Sequence, residues 1–150
     1  MAIICLILIH STFYYFFMRT MINEIPVISF RMKEITRDYL ARLDEHIIHL
    51  KEGKTVRALE IRDLAAMLHV HPVHLSNTIK QVTGKSTCSL YEERLVLISK
   101  ELLLTTNLPV AQIARQLTYD PSNFTKFFKH YTGITPKKFR DQHYTGQNLK

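Results

Sequence analysis

Cysteine is nearly missing from this 150-residue chain: Cys5 and Cys88 stand far apart, with no second cysteine beside either. That spacing excludes a disulfide framework and a thiolate metal motif, and it fits a reducing compartment. Cys88 is expected to be an inert small residue. Glycine and proline are equally scarce, at 4 and 5 residues. There is no low-complexity run and no long linker. No Gly-rich phosphate loop, nucleophile elbow or HExxH is found. Glu92 and Glu93 are adjacent, so on a helix they point different ways and make a poor acid–base pair. The sequence therefore predicts no catalytic residue, no cofactor and no enzyme. His69, His71 and His74 cluster, and His46 and His49 are three apart, a spacing that suits zinc or nickel. No acid or cysteine is interleaved near the first cluster, and no metal site is expected. His71 is better placed to cap a helix opening at Pro72.

What is present points elsewhere. Apolar residues make up 46%, enough for a core, and the net charge is +7. A basic balance favours a polyanionic partner, nucleic acid or an anionic membrane surface. Residues 1–32 form an apolar arm with Arg19, Arg31 and Glu24 as its only formal charges. That leaves 18 basic and 12 acidic residues for 33–150, so the basic character belongs to the helical part. Residues 2–18 carry no formal charge but are short of the ~20 residues of a transmembrane helix, and His10, Ser11 and Thr12 interrupt them. No Lys or Arg precedes the run and no small-residue cleavage site follows, which argues against a secretory signal. Three readings stay open: a true start at Met18, Met21 or Met32, a tether to the inner membrane, or a segment packed on the domain. Residues 33–143 are densely helical in pattern, and the tail 144–150 is expected to fray.

An internal repeat organises the helical part. Residues 61–65 (IRDLA) align with 110–114 (VAQIA) at an offset of 49, and the alignment runs without a gap from there to Ser86 over Thr135. Identities fall at Ala65/Ala114, Leu68/Leu117, Pro72/Pro121, Lys80/Lys129, Thr83/Thr132 and Gly84/Gly133. Apolar positions match in kind at Leu64/Ile113, Val70/Tyr119, Leu75/Phe124, Ile79/Phe128 and Leu90/Phe139. Each repeat reads as a short helix (61–68, 110–117), a three-residue link, and a second helix opening at Pro72 or Pro121 and ending at Gly84 or Gly133. Asp120 is placed to cap the second of these. Two short helices at a sharp angle across three residues make a helix-turn-helix unit. Ala65 and Ala114 are the small residues at which the two helices approach.

The second helices carry the chemistry. In 72–83, Leu75, Ile79 and Val82 are expected in the core, leaving Val73, His74, Ser76, Asn77, Lys80 and Gln81 outside. In 121–132, Phe124, Phe128 and Tyr131 are expected inward with Phe127, leaving Ser122, Asn123, Thr125, Lys126, Lys129 and His130 outside. Both outer faces hold amides, hydroxyls and Lys but no acid, the groups that read base edges and reach phosphates. Between the units, 86–106 lacks Gly and Pro and carries Tyr91, Leu95, Ile98 and Leu102 at helical spacing. That predicts one helix of about 30 Å, able to hold two recognition helices about one turn of B-DNA apart. A monomer would then bind two successive major grooves of double-stranded DNA, with some bending.

The runs IRDLAAMLHVHPVHLSNTIKQVTGKS and IARQLTYDPSNFTKFFKHYTGITPKKFR, closing on Phe139 and Arg140, resemble the DNA-binding domain of AraC-type transcription regulators over residues 34–141. The resemblance implies an all-α, homeodomain-like fold of about seven helices, the first across 34–51. Two helix-turn-helix subdomains, about 33–85 and 108–143, would flank the linker helix 86–106. It also implies a bacterial cytoplasmic regulator, an activator in the first instance, that recruits or blocks RNA polymerase. Carried over, Val73, Ser76 and Asn77 would face bases with Lys80 nearer the backbone, and Ser122, Asn123 and Lys126 would serve the second helix. Lys126 stands where the family usually has Arg and lacks its planar fork. His69 and Thr118 stand where the family favours Gly, and the second turn is one residue shorter than is common. The 32 residues before the first helix are too few for a separate ligand-binding domain. The other functions compatible with the residues are a membrane-tethered regulator and a module gripping polymerase or another regulator.

Overall fold

A computed structural model describes residues 28–147, with side chains through His143. The chain divides into two units at Phe30 and Arg31, and the helices build the second. The expectations for the arm up to residue 27, including its start-site, tether and packing readings, lie outside the described residues, as do 148–150. Among the described residues there are seven helices and no strand. None of these helices is long and apolar enough to cross a membrane. The all-α architecture read from the sequence, two helix-turn-helix subdomains about a long central helix, is the one observed.

Helix α1 runs Phe30–Lys51, beginning four residues before the span implied by the resemblance. It buries Ile35, Tyr39, Leu43, Ile47 and Leu50, one residue every three or four, which is a single helical face. The Tyr39 hydroxyl donates to the Thr87 carbonyl at 3.1 Å. That bond fastens α1 to the start of the central helix, and burial pushes the Tyr39 phenol up to about 12.

The repeat appears in space as it does in sequence. Helices α2 (Ile61–Met67) and α3 (Pro72–Thr83) form the first unit, with α4 (Thr87–Thr105) following. Helices α5 (Val110–Gln116) and α6 (Pro121–Thr132) form the second, followed by α7 (Pro136–Gln147). Proline opens α3 and α6 because its missing N–H has no helical partner there. Gly84 and Gly133 close them at φ 73° and 79°, a left-handed conformation that glycine takes without penalty. The 19 residues of α4 correspond to about 28 Å. Helix α7 takes in the first residues of the expected 144–150 tail.

Both units pack on α4. Its buried residues, Leu90, Leu95, Val96, Ile98, Ser99, Leu102 and Leu103, form a stripe wider than one partner would need. Leu75 and Ile79 from one unit, and Ile113, Leu117, Phe124 and Phe128 from the other, join the same core. Buried Ser99 satisfies its hydroxyl by donating to the Leu95 carbonyl. Two further side chains bond helix ends. Gln116 donates to the carbonyls of Leu50 and Lys51, the last residues of α1. Arg140 Nε donates to the Leu103 carbonyl near the end of α4 at 3.0 Å. Such carbonyls lack intrahelical partners and need one.

Three core expectations are corrected. Tyr131 is 39% exposed instead of inward. It lies in the last turn of α6, where its hydroxyl reaches the Glu92 carboxylate. Val82 and Phe127 are half-buried, Phe127 stacking at 4.9 Å on Tyr119. Thr78, unremarked in the sequence, is buried on the inner side of α3.

Candidate nucleic-acid interface

The link between α2 and α3 follows from how α2 ends. The Val70 N–H bonds the Ala65 carbonyl at 3.0 Å and the His69 N–H bonds Ala66 at 3.2 Å. The same pair recurs at Tyr119 to Ala114 (2.8 Å) and Thr118 to Arg115 (3.0 Å). These are nested bonds of a Schellman ending, which needs one left-handed residue just past the helix. That residue is His69 at φ 53° and Thr118 at φ 67°. The sequence flagged both as places where glycine is expected, and the turn keeps its geometry despite the side chains. Val70 and Tyr119 then turn inward onto the core, and Ala65 and Ala114 are buried where the helices meet.

Helices α3 and α6 are capped as the sequence predicts. His71 Nδ1 accepts from the Val73 N–H at 3.3 Å. The Asp120 carboxylate accepts from Ser122 at 2.8 Å and Asn123 at 3.4 Å. His71 is thus engaged as a cap, and among the described residues no group of three metal-ligating side chains is placed to hold an ion. Glu92 and Glu93 do point apart: Glu92 accepts from Tyr131, and Glu93 takes both bonds of Lys85 Nζ, at 2.8 and 2.9 Å.

With Leu75 and Ile79 inward, α3 turns Val73, Asn77 and Lys80 outward along one ridge, spaced four and three residues apart. His74 and Gln81 flank it, exposed, while Ser76 is half-buried at its edge. The same offset of 49 puts Ser122, Lys126 and Lys129 on the matching ridge of α6, with Asn123 and His130 flanking. Thr125 is half-buried, and its hydroxyl donates back to the Pro121 carbonyl at 3.0 Å. Its outward chemistry is therefore a methyl group and a hydroxyl lone pair.

Both ridges are basic and polar. Neither α3 nor α6 contains an acid. Among the described residues, Lys80, Lys126 and Lys129 enter no ion pair, as is also true of Lys33, Lys100, Lys137 and Lys138, while Lys51, Lys85, Arg57 and Arg94 are matched to Glu101, Glu93, Asp63 and Asp44. Free ammonium groups beside amides and hydroxyls, on two convex helices, suit an anionic backbone bordering hydrogen-bonding edges.

Residues 64–142 match the family described as a helix-turn-helix domain. The chain is 33% identical over 82 residues to the arabinose operon regulatory protein of Escherichia coli (strain K12), covering 54% of this chain and 28% of that protein. It is 28% identical over 121 residues to the HTH-type transcriptional activator AarP of Providencia stuartii, covering 80% of this chain and 87% of that protein. Among solved structures, the C-terminal domain of AraT, a response regulator from Geobacillus stearothermophilus, is 33% identical with a TM-score of 0.59, over 72% of this chain and 84% of that one. The chain spans less than a third of the length of several curated relatives that it matches.

Proposed function

The chain belongs to the AraC-type helix-turn-helix family of DNA-binding transcription regulators, and from that premise we propose that α3 and α6 enter two successive major grooves on one side of a duplex. The observation that carries this reading is the pair of acid-free ridges repeated at one offset, each capped, closed and backed by core in the same way. Val73, Ser76 and Asn77 face bases from α3, with His74 beside them and Lys80 nearer the phosphates. Ser122, Asn123, Thr125 and Lys126 face bases from α6, with Lys129 nearer the phosphates. The Asn77 amide matches an adenine edge, and Lys126 offers a single charged donor to guanine where a guanidinium would offer two. The protein acts as a monomer on DNA and activates transcription by engaging RNA polymerase beside its site. The name of the Providencia relative, an activator matched over most of its length, supports that sign of regulation.

Selection of the full chain against a randomised duplex pool at about 150 mM salt, followed by sequencing, tests the reading. The expected product is one bipartite motif with halves about 10 base pairs apart. Asn77→Ala and Lys126→Ala should each relax one half, weakening the matched duplex by ~1–3 kcal/mol. Recovery of sequence-blind, salt-sensitive binding alone would sink it.

A further inference from the structure

The trailing ends of the two recognition helices are fastened to two neighbouring residues of α4, one end to each. At the end of α6, the Tyr131 hydroxyl donates to Glu92. Just past the end of α3, the Lys85 ammonium makes two bonds to Glu93. Glu92 and Glu93 are consecutive on α4, so their side chains leave that helix about 100° apart and meet the two units on different sides. The tie at Tyr131 does not come from core packing, since that side chain is substantially exposed and its ring rests on Phe127 at 5.2 Å. It also has no counterpart in the first repeat, where the matching residue is Val82.

We propose that Glu92 and Glu93 are positioning residues that set the half-site spacing the protein accepts, by pinning the ends of α6 and α3 to one turn of α4. The proposal rests on the two-groove reading above. A 12-residue helix is about 18 Å long, so a tilt of about 10° about its pinned end moves its leading end by about 3 Å. That is close to the rise of one base pair, about 3.4 Å. The leading ends carry Val73 and Ser122, the first exposed residues of each ridge. A loosened pin therefore spreads the position of the reading end over neighbouring registers, while the chemistry of the ridge stays the same. The hydrogen bond to the Glu92 carboxylate chiefly holds the Tyr131 phenol up to about 12.

The test uses the full chain, the bipartite duplex selected above, and duplexes with one base pair added or removed between the halves. Duplexes with either half scrambled report each unit alone. For the wild type, a one-base-pair change in spacing is expected to weaken binding about tenfold, the scale of a modest DNA deformation energy. Tyr131→Phe removes only the hydroxyl. It should bring that ratio down to about two- or threefold while leaving binding to each single half unchanged. Glu92→Ala should do the same, the double variant should add nothing, and Glu92→Gln, which keeps an acceptor oxygen, should retain most of the ratio. Lys85→Met should reproduce the effect from the α3 side. An unchanged spacing ratio in Tyr131→Phe, or a loss shared equally by single and paired halves, would overturn the proposal. Failure of the underlying reading looks different: the wild type itself would then show no bipartite motif.

Discussion

Thr118 is a β-branched residue held at φ 67°, and His69 sits at φ 53° in the equivalent turn. A left-handed backbone costs a residue with a Cβ roughly 1–2 kcal/mol, and branching at Cβ makes it worse. Thr118→Gly should therefore raise stability by about 0.5–1 kcal/mol, after the extra chain entropy of glycine is subtracted. A urea midpoint that falls in this variant would mean that the Thr118 side chain contributes contacts outweighing the strain. His46 bears on pH. Burial chiefly, and then the charge of His49, holds its imidazole below the usual range. The folded state thus binds this proton less readily than the unfolded chain. Stability is full above the usual imidazole range and declines as pH falls through it. Urea midpoints measured from pH 8 down to 5 should show that decline, with a shallower slope in His46→Gln. At this scale the sequence was readable where backbone chemistry is local: the His71 cap and the Asp120 cap are set by neighbours within a few residues, while the turn positions His69 and Thr118 were marked by the family resemblance. It misled at Tyr131, because a 3.6-residue period assigns a face without knowing where the partner surface stops. Thr78 went unremarked for a related reason, since its polar side chain carries no hydrophobic signal although the structure buries it.

Among the helices, boundaries were legible in proportion to their punctuation. Proline at the start and glycine past the end fixed α3 and α6 to the residue, whereas α1 carries no such opening signal and begins at Phe30, ahead of the expected 34. The caps also predict unequal consequences. Asp120 serves two N–H groups and adds a negative charge at a helix N-terminus, while His71 makes a single bond of 3.3 Å. Asp120→Ala should cost about 1–2 kcal/mol and His71→Ala less, as read by thermal melts followed by circular dichroism. Equal losses would show that cap geometry does not govern these ends. The wide buried stripe of α4 was only half visible from sequence. Tyr91, Leu95, Ile98 and Leu102 mark one face, whereas Leu90, Val96 and Leu103 are buried off that face, on a helix that packs against both units.

At the largest scale, the described helices after α1 are two copies of one unit around the shared helix α4. Leu95 is fully buried on α4, within the core to which both units contribute. Leu95→Ala should lower stability by about 2–5 kcal/mol and move one cooperative transition, with the urea m-value kept. Two separated transitions would show that the units fold independently. The repeat itself was the most legible large-scale feature, since its register survives in apolar kind even where identity is lost. The copies have nevertheless diverged in substance. Leu75 and Ile79 fill the first, while Phe124 and Phe128 fill the second with a ring cluster that extends to Phe139 at 5.4 Å. The exposed ridges differ as well, Val73 against Ser122 and Asn77 against Lys126, and none of these four residues belongs to either filling. Duplicated genes usually face a conflict between keeping a fold and acquiring a new preference. Here the two demands fall on different faces of each helix, so an outer ridge can be rewritten without touching what keeps its unit folded.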